Sequence, residues 1–135
     1  MEKKLSANDV FELSKAFHNL SSVLGHYRYD HWDDLTPSQR SDLENKQWTL
    51  FNISSDLNAK SVLLKVKLIE QDLQTLQSAT NAMQEVAQKI QDIKHVIRIA
   101  TKAIAFGGAI YVGASTGNVG LIVSAASDLI SEIIA

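Results

Sequence analysis

The sequence predicts an all-α protein, an elongated helical bundle, from three observations. One proline stands in 135 residues, and alternating β-branched runs are few, so little interrupts a helix or favours a strand. Apolar residues recur at three- and four-residue steps through most of the chain, which is the period of one helix face. The stretch from Ala103 to Ser127, AIAFGGAIYVGASTGNVGLIVSAAS, carries no charge and holds five of the six glycines. The length fits a single domain, 1–135, with an apolar tip at about 100–135. Such a chain buries about two-thirds of its unfolded surface.

The first helix is expected from about Asn8 to Gly25. Val10, Leu13, Phe17, Leu20 and Leu24 share one face. Ser6 or Asn8 can cap its start, and Gly25 reads as its stop. His26 to Arg40 (HYRYDHWDDLTPSQR) follows, with two His, three Asp and three aromatics before Leu35. Thr36-Pro37-Ser38-Gln39 is a helix start: Thr36 the N-cap, Pro37 in the first turn, Gln39 completing a capping box. The second helix carries Leu43, Trp48, Leu50, Phe51, Ile53 and Leu57. Asn52 to Asn58 is rich in weak helix formers, so a bend or short turn is expected there, with a continuous helix as the alternative.

From about Ala59 a heptad stripe begins. Val62, Val66, Ile69, Leu73, Leu76, Thr80, Met83, Ala87 and Ile90 alternate steps of four and three. Ile93, Ile97 and Ile104 continue it, and neither glycine nor proline interrupts before Phe106. One very long helix of about 45 residues, roughly 70 Å, is the expectation. It must pack along its length on other helices or on another copy. Val62, Val66, Ile69, Leu73, Leu76, Met83 and Ile90 are therefore the expected self-association stripe.

Ser115-Thr116-Gly117-Asn118 divides the uncharged stretch with a turn signal. Val119, Ile122, Val123, Ala126, Leu129, Ile130, Ile133 and Ile134 then make one apolar face. The C-terminal part reads as a Gly/Ala-rich apolar helical hairpin.

Composition excludes several classes. Without cysteine there is no disulfide framework and no thiol chemistry. A net charge of -2 gives no field toward nucleic acid, and none is expected as partner. The opening MEKKLSANDVFELSK has no apolar run, so no signal peptide is expected, and the location is cytoplasmic or membrane-associated. Gly108-Ala-Ile-Tyr-Val-Gly113 has the glycines of a phosphate loop, but Ala114 replaces the lysine. No serine has a nucleophile elbow. No enzyme and no cofactor are expected. His26, Asp30 and His31 are the nearest approach to a metal cluster, and their spacing matches no compact motif. A loop folded onto the bundle accounts for them better, so no metal is expected.

The function expected is a membrane-active, self-associating helical protein presenting its apolar hairpin to lipid. Twenty-five uncharged residues exceed the roughly 20 that span a bilayer. Ala105, Phe106, Ala109, Ile110, Gly113, Gly117, Ile122 and Val123 would meet lipid, with small residues at Ala105, Ala109, Gly113 and Gly117 permitting close helix contact. Lys94, Arg98 and Lys102 would face headgroups. Long helices with an apolar hairpin at one end form a plan shared with α-helical pore-forming proteins, an analogy that carries no residues over. The alternative is a soluble helical interaction protein (adaptor, chaperone-like or structural subunit) whose hairpin packs on its own bundle or on a partner chain. The partners expected are a second copy or another protein, and membrane lipid.

Overall fold

Ser6 starts the first helix through a reciprocal pair of bonds. The Asp9 N–H donates to Ser6 Oγ at 3.0 Å, and the Ser6 N–H donates to the Asp9 carboxylate at 3.0 Å. A computed structural model of the chain describes residues 2–59 and 66–134. In those residues the order is β1 (Glu2–Lys4), α1 (Ala7–Asp30), α2 (Pro37–Ala59), β2 (Lys67–Ile69), α3 (Glu70–Gln84), α4 (Ile93–Thr116) and α5 (Val119–Ile134). Short 3₁₀ turns at Trp32–Asp34 and Val86–Gln88 lie between helices. The class is all-α, with one small antiparallel sheet pairing Glu2 with Ile69 and Lys4 with Lys67.

α1 runs through Gly25 and ends at Asp30, five residues later than the sequence predicts, where the His31 N–H meets the Tyr27 carbonyl at 3.0 Å. Gly25 does not stop it because its role is close approach. A Cβ there would lie 2.7 Å from Nε2 of Gln47 on α2. Small residues recur along this seam. Ser14 Oγ donates to the Ser54 carbonyl and Ser54 Oγ to the Ser14 carbonyl, both at 2.8 Å. Ser21 Oγ donates to the Gln47 carbonyl at 2.9 Å. Each such buried bond contributes on the order of 1 kcal/mol.

α2 begins with the capping box the sequence predicts. The Gln39 N–H reaches Thr36 Oγ1 at 3.1 Å, and the Thr36 N–H reaches Gln39 Oε1 at 2.9 Å. No bend interrupts Asn52 to Ala59. Ser54 in that run is buried and spends its hydroxyl on α1, so its competition with the helical backbone is relieved.

The very long heptad helix does not form among the described residues. Ile69 is extended, α3 ends at Gln84, and a 3₁₀ turn follows. Asp92 then caps a new helix, its carboxylate accepting the His95 N–H at 2.8 Å. The heptad period survives because each short helix buries its own face, and periodicity carries no information about continuity. Among the described residues the longest helices, α1 and α4, have 24 residues, about 36 Å at 1.5 Å each, half the predicted rod.

α1 packs on α2 and α3, α4 on α5 and α2, and α3 on α5. One apolar cluster threads all five helices. At its centre the Phe17 and Phe106 rings stack with centroids 5.7 Å apart. Burying such a side chain contributes about 1.5–3 kcal/mol. α4 stops at Gly117, whose φ of 77° is left-handed, and Asn118 Oδ1 accepts the Leu121 N–H at 3.2 Å as α5 begins.

Two glycines of α4 are predicted to respond oppositely to alanine. A Cβ at Gly113 would lie 2.7 Å from the Asn118 carbonyl and 2.5 Å from Ile122, so Gly113→Ala should cost about 1–3 kcal/mol. A Cβ at helical, exposed Gly108 meets nothing within 4 Å, so Gly108→Ala should stabilise by about 0.5–1 kcal/mol. Thermal unfolding followed by circular dichroism checks both signs.

Candidate interaction surface

The residues expected to meet lipid divide between inside and outside. Phe106, Ala109, Ile110, Gly113 and Ile122 are buried in the chain's own core, and Val123 is half-buried. Ala105 and Gly117 are exposed. Gly107 and Gly113 let α4 lie close to its neighbours, since a Cβ at Gly107 would come 2.6 Å from Ile53 of α2. The outward side of α4 and the start of α5 still present Tyr111, Val112 and Leu121 to solvent. α4 is the helix among the described residues with the length and apolarity to cross a membrane, and half of its most apolar stretch is buried.

Lys94, Arg98 and Lys102 are exposed on α4. Arg98 Nε–H donates to the Glu132 carboxylate of α5 at 3.2 Å. In the expected self-association stripe, Val66, Leu76 and Met83 are buried, Leu73 and Ile90 pack against the core, and Ile69 is exposed. Val62 lies outside the described residues. A second copy could reach the buried members only by displacing the chain's own α1.

His26, Asp30 and His31 end up around a surface cleft of about 360 Å³ between the end of α1 and the segment Ala87–Gln91. His31 is occupied locally: Nδ1 lies 3.0 Å from the Tyr27 carbonyl, and its ring stacks on Tyr27 at 4.0 Å. Among the described residues no three His, Cys, Asp or Glu side chains are grouped to hold a metal ion. The neighbouring cations are spent on α2 and on an indole. Arg28 pairs with Glu44 at 3.0 Å, and Arg40 lies 4.6 Å over the Trp32 ring while its Nε–H donates to the Trp32 carbonyl at 2.9 Å.

Trp48 and Phe51, expected in the apolar set of the second helix, point outward. Trp48 is 56% exposed, Phe51 41% and Phe11 49%. They form an aromatic face across α1 and α2. Trp48 meets Phe51 edge-on with centroids 5.8 Å apart, Phe51 lies 5.8 Å from His18, and Lys15 Nζ sits 5.4 Å over Phe11. A cleft of about 160 Å³ beside them is lined by Ser14, His18, Phe51, Ser54 and Ser55. The signal was present in the phase. Leu43, Leu50, Ser54 and Leu57 are the buried residues of α2, at steps of seven, four and three. Trp48 and Phe51 lie off that line.

Comparison with protein-family models, with curated proteins and with solved structures gives no match.

One titration is predicted from the cleft. Burial first, then the Asp92 and Asp34 carboxylates, push the Tyr27 phenol above the ordinary value of 10.0. A raised folded value means its contribution to stability is complete below about pH 10 and is lost as pH rises through the folded value. Ultraviolet titration of a Tyr29→Phe/Tyr111→Phe variant should show the remaining phenol ionising late. Adding Asp34→Asn should bring it part of the way back.

Proposed function

We propose that the chain is a non-catalytic, self-associating helical interaction module in which two copies meet through the aromatic face of α1 and α2. The observation that carries the reading is that face: Phe11, Trp48 and Phe51 stay exposed while the apolar side of α4 is covered by α1, α2 and α5. Exposed aromatic clusters of this kind are the usual anchors of protein interfaces. Phe11, Lys15 and His18 on α1, and Glu44, Trp48, Phe51 and Ser55 on α2, are all exposed and step by four and three. That is the seam of a four-helix bundle, which a second α1–α2 pair would complete. Lys15 and Glu44 lie toward opposite ends of the face, so both charges can keep water at its rim.

A second reading is kept by α4. Its length, its apolarity and the uncharged exposed positions Ala105, Gly108 and Val112 fit a membrane-active protein, with Lys94 and Lys102 toward headgroups. The buried half of α4 makes that reading conditional on the bundle opening.

The purified chain, without detergent, is predicted to sediment as a dimer. Trp48→Ser with Phe51→Ser should keep the helical signal, since both residues are exposed, and should shift the mass to a monomer. Loss of one central anchor weakens such a contact by about 2 kcal/mol or more, roughly thirtyfold. A wild-type monomer at every concentration tested would sink the dimer reading. Flotation of that monomer with liposomes would transfer the case to the membrane reading.

A further inference from the structure

His95 is the most buried of the described polar side chains, 1% exposed. Both of its ring nitrogens are committed. The Gln91 N–H donates to Nδ1 at 3.1 Å, and Nε2 lies 2.7 Å from the Glu132 carbonyl. An amide N–H can only donate and a carbonyl can only accept, so the partners fix a neutral ring with its proton on Nε2. This ring ties the first turn of α4 to the last turn of α5, across 37 positions of sequence.

The charged and titratable groups about it come from three elements. On α4, Asp92 accepts the His95 N–H at 2.8 Å, and Arg98 follows one turn on. On α5, Glu132 lends its carbonyl to the ring and its carboxylate to Arg98. From α1, the Tyr27 hydroxyl lies in the field of Asp92. α3 meets α5 with uncharged residues, Gln71, Gln74, Thr75 and Ser78, opposite Ser127 and Ile130.

We infer that His95 is an acid-sensitive latch that holds α5 on α4 and lets go when the imidazole takes up a second proton. The new proton goes to Nδ1, which then faces the Gln91 N–H donor with a donor of its own. That bond is lost, and a cation stands at a position only 1% exposed. In the released state the ring is solvated and free to take a second proton, which the latched ring's partners exclude. The released state therefore binds more protons than the latched one in acid, so the latch weakens as pH falls. Release uncovers Leu129 and Ile133 on α5 and their partners in the core. The inference is independent of the aromatic face, which lies on α1 and α2.

Hydrogen exchange of the full chain between pH 7.5 and 5.0 tests the latch, with protection corrected for the intrinsic rate. Protection of α5 amides should fall by up to about tenfold per pH unit toward the acid end of that range, while α1 and α2 keep theirs. His95→Gln, which retains an amide donor for the Glu132 carbonyl and does not titrate, should remove the step. His18→Gln/His26→Gln/His31→Gln leaves His95 as the last of the four histidines and should preserve it. The inference is overturned by pH-independent α5 protection in the wild type, by an unchanged step in His95→Gln, or by loss of the step in the triple variant. Should His95→Gln fail to fold, nitrogen NMR of the single ring in the triple variant decides. Ring protonation must coincide with loss of α5 protection, and a ring that charges while α5 stays protected overturns the latch.

Discussion

The closeness of α4 to its neighbours is the constraint on which the structure depends. α4 touches α2 on one side and α5 on another, and both contacts rest on missing side chains. At Gly107 a Cβ would stand 2.6 Å from Ile53, and at Gly113 it would stand 2.5 Å from Ile122. Carbon atoms do not approach so closely, so any larger residue must move a helix or turn a side chain. Phe106, next to Gly107, then reaches Phe17 of α1, and this stack closes the centre of the core. α1 makes the same accommodation toward α2 with Ser14, Ser21 and Gly25. Glycine lowers helix propensity by about 1 kcal/mol per position. Close packing of aromatic and aliphatic neighbours offsets that loss several-fold.

Because small residues draw the helices together, most of the long apolar pattern is consumed inside the chain. Leu76 and Met83 face α1, and Leu129 and Ile133 face α4 and α3. What remains outside is then informative. Trp48, Phe51 and Phe11 are large, partly rigid and exposed, and they gather on the one helix pair whose inner seam is already closed by serine hydroxyls. Hydroxyl bonds fix the spacing of α1 and α2 without consuming aromatic area. The aromatic face thus stays exposed while the core beneath it is complete.

Local chemistry in the sequence was readable where a few adjacent residues decide the outcome. Ser6 and Thr36 cap α1 and α2 because each has an oxygen and a reciprocating side chain three positions on. Gly117 takes the left-handed conformation within the tetrad Ser115 to Asn118. Where tertiary contact decides, the residues misled. Gly25 carries the chemistry of a helix stop, yet its missing Cβ is used by Gln47. The heptad from Val66 to Ile90 looks continuous because Val66, just before β2, and the helix residues Leu76 and Met83 all belong to one core. Asp92 caps α4 in the middle of that stripe, where the apolar period runs on unchanged. α2 hid its aromatic face because apolar residues on two sides blur a one-sided pattern. His95 gave no signal at all, since the carbonyl that receives its proton belongs to a residue 37 positions away.

The two ends of the α4–α5 pair are closed by different physics, and this bears on how α4 could ever meet lipid. At one end Gly117 and the Asn118 cap hold the turn by backbone conformation, which pH does not alter. At the other end His95 and Arg98 of α4 hold α5 by side-chain hydrogen bonds to the carbonyl and carboxylate of Glu132. Between them lie Val96, Ile99, Phe106 and Ile110, all fully buried. Exposing four such side chains opposes release by about 6–12 kcal/mol at 1.5–3 each. That is comparable to the whole stability of a domain of this size, about 5–15 kcal/mol. Lifting α4 out intact is therefore equivalent to unfolding. Parting α5 from the polar end first exposes Leu129, Ile133 and the core residues they cover, a smaller part of the same cluster. A route to an apolar surface that stays within the available stability begins at His95 rather than at the glycine-rich tip.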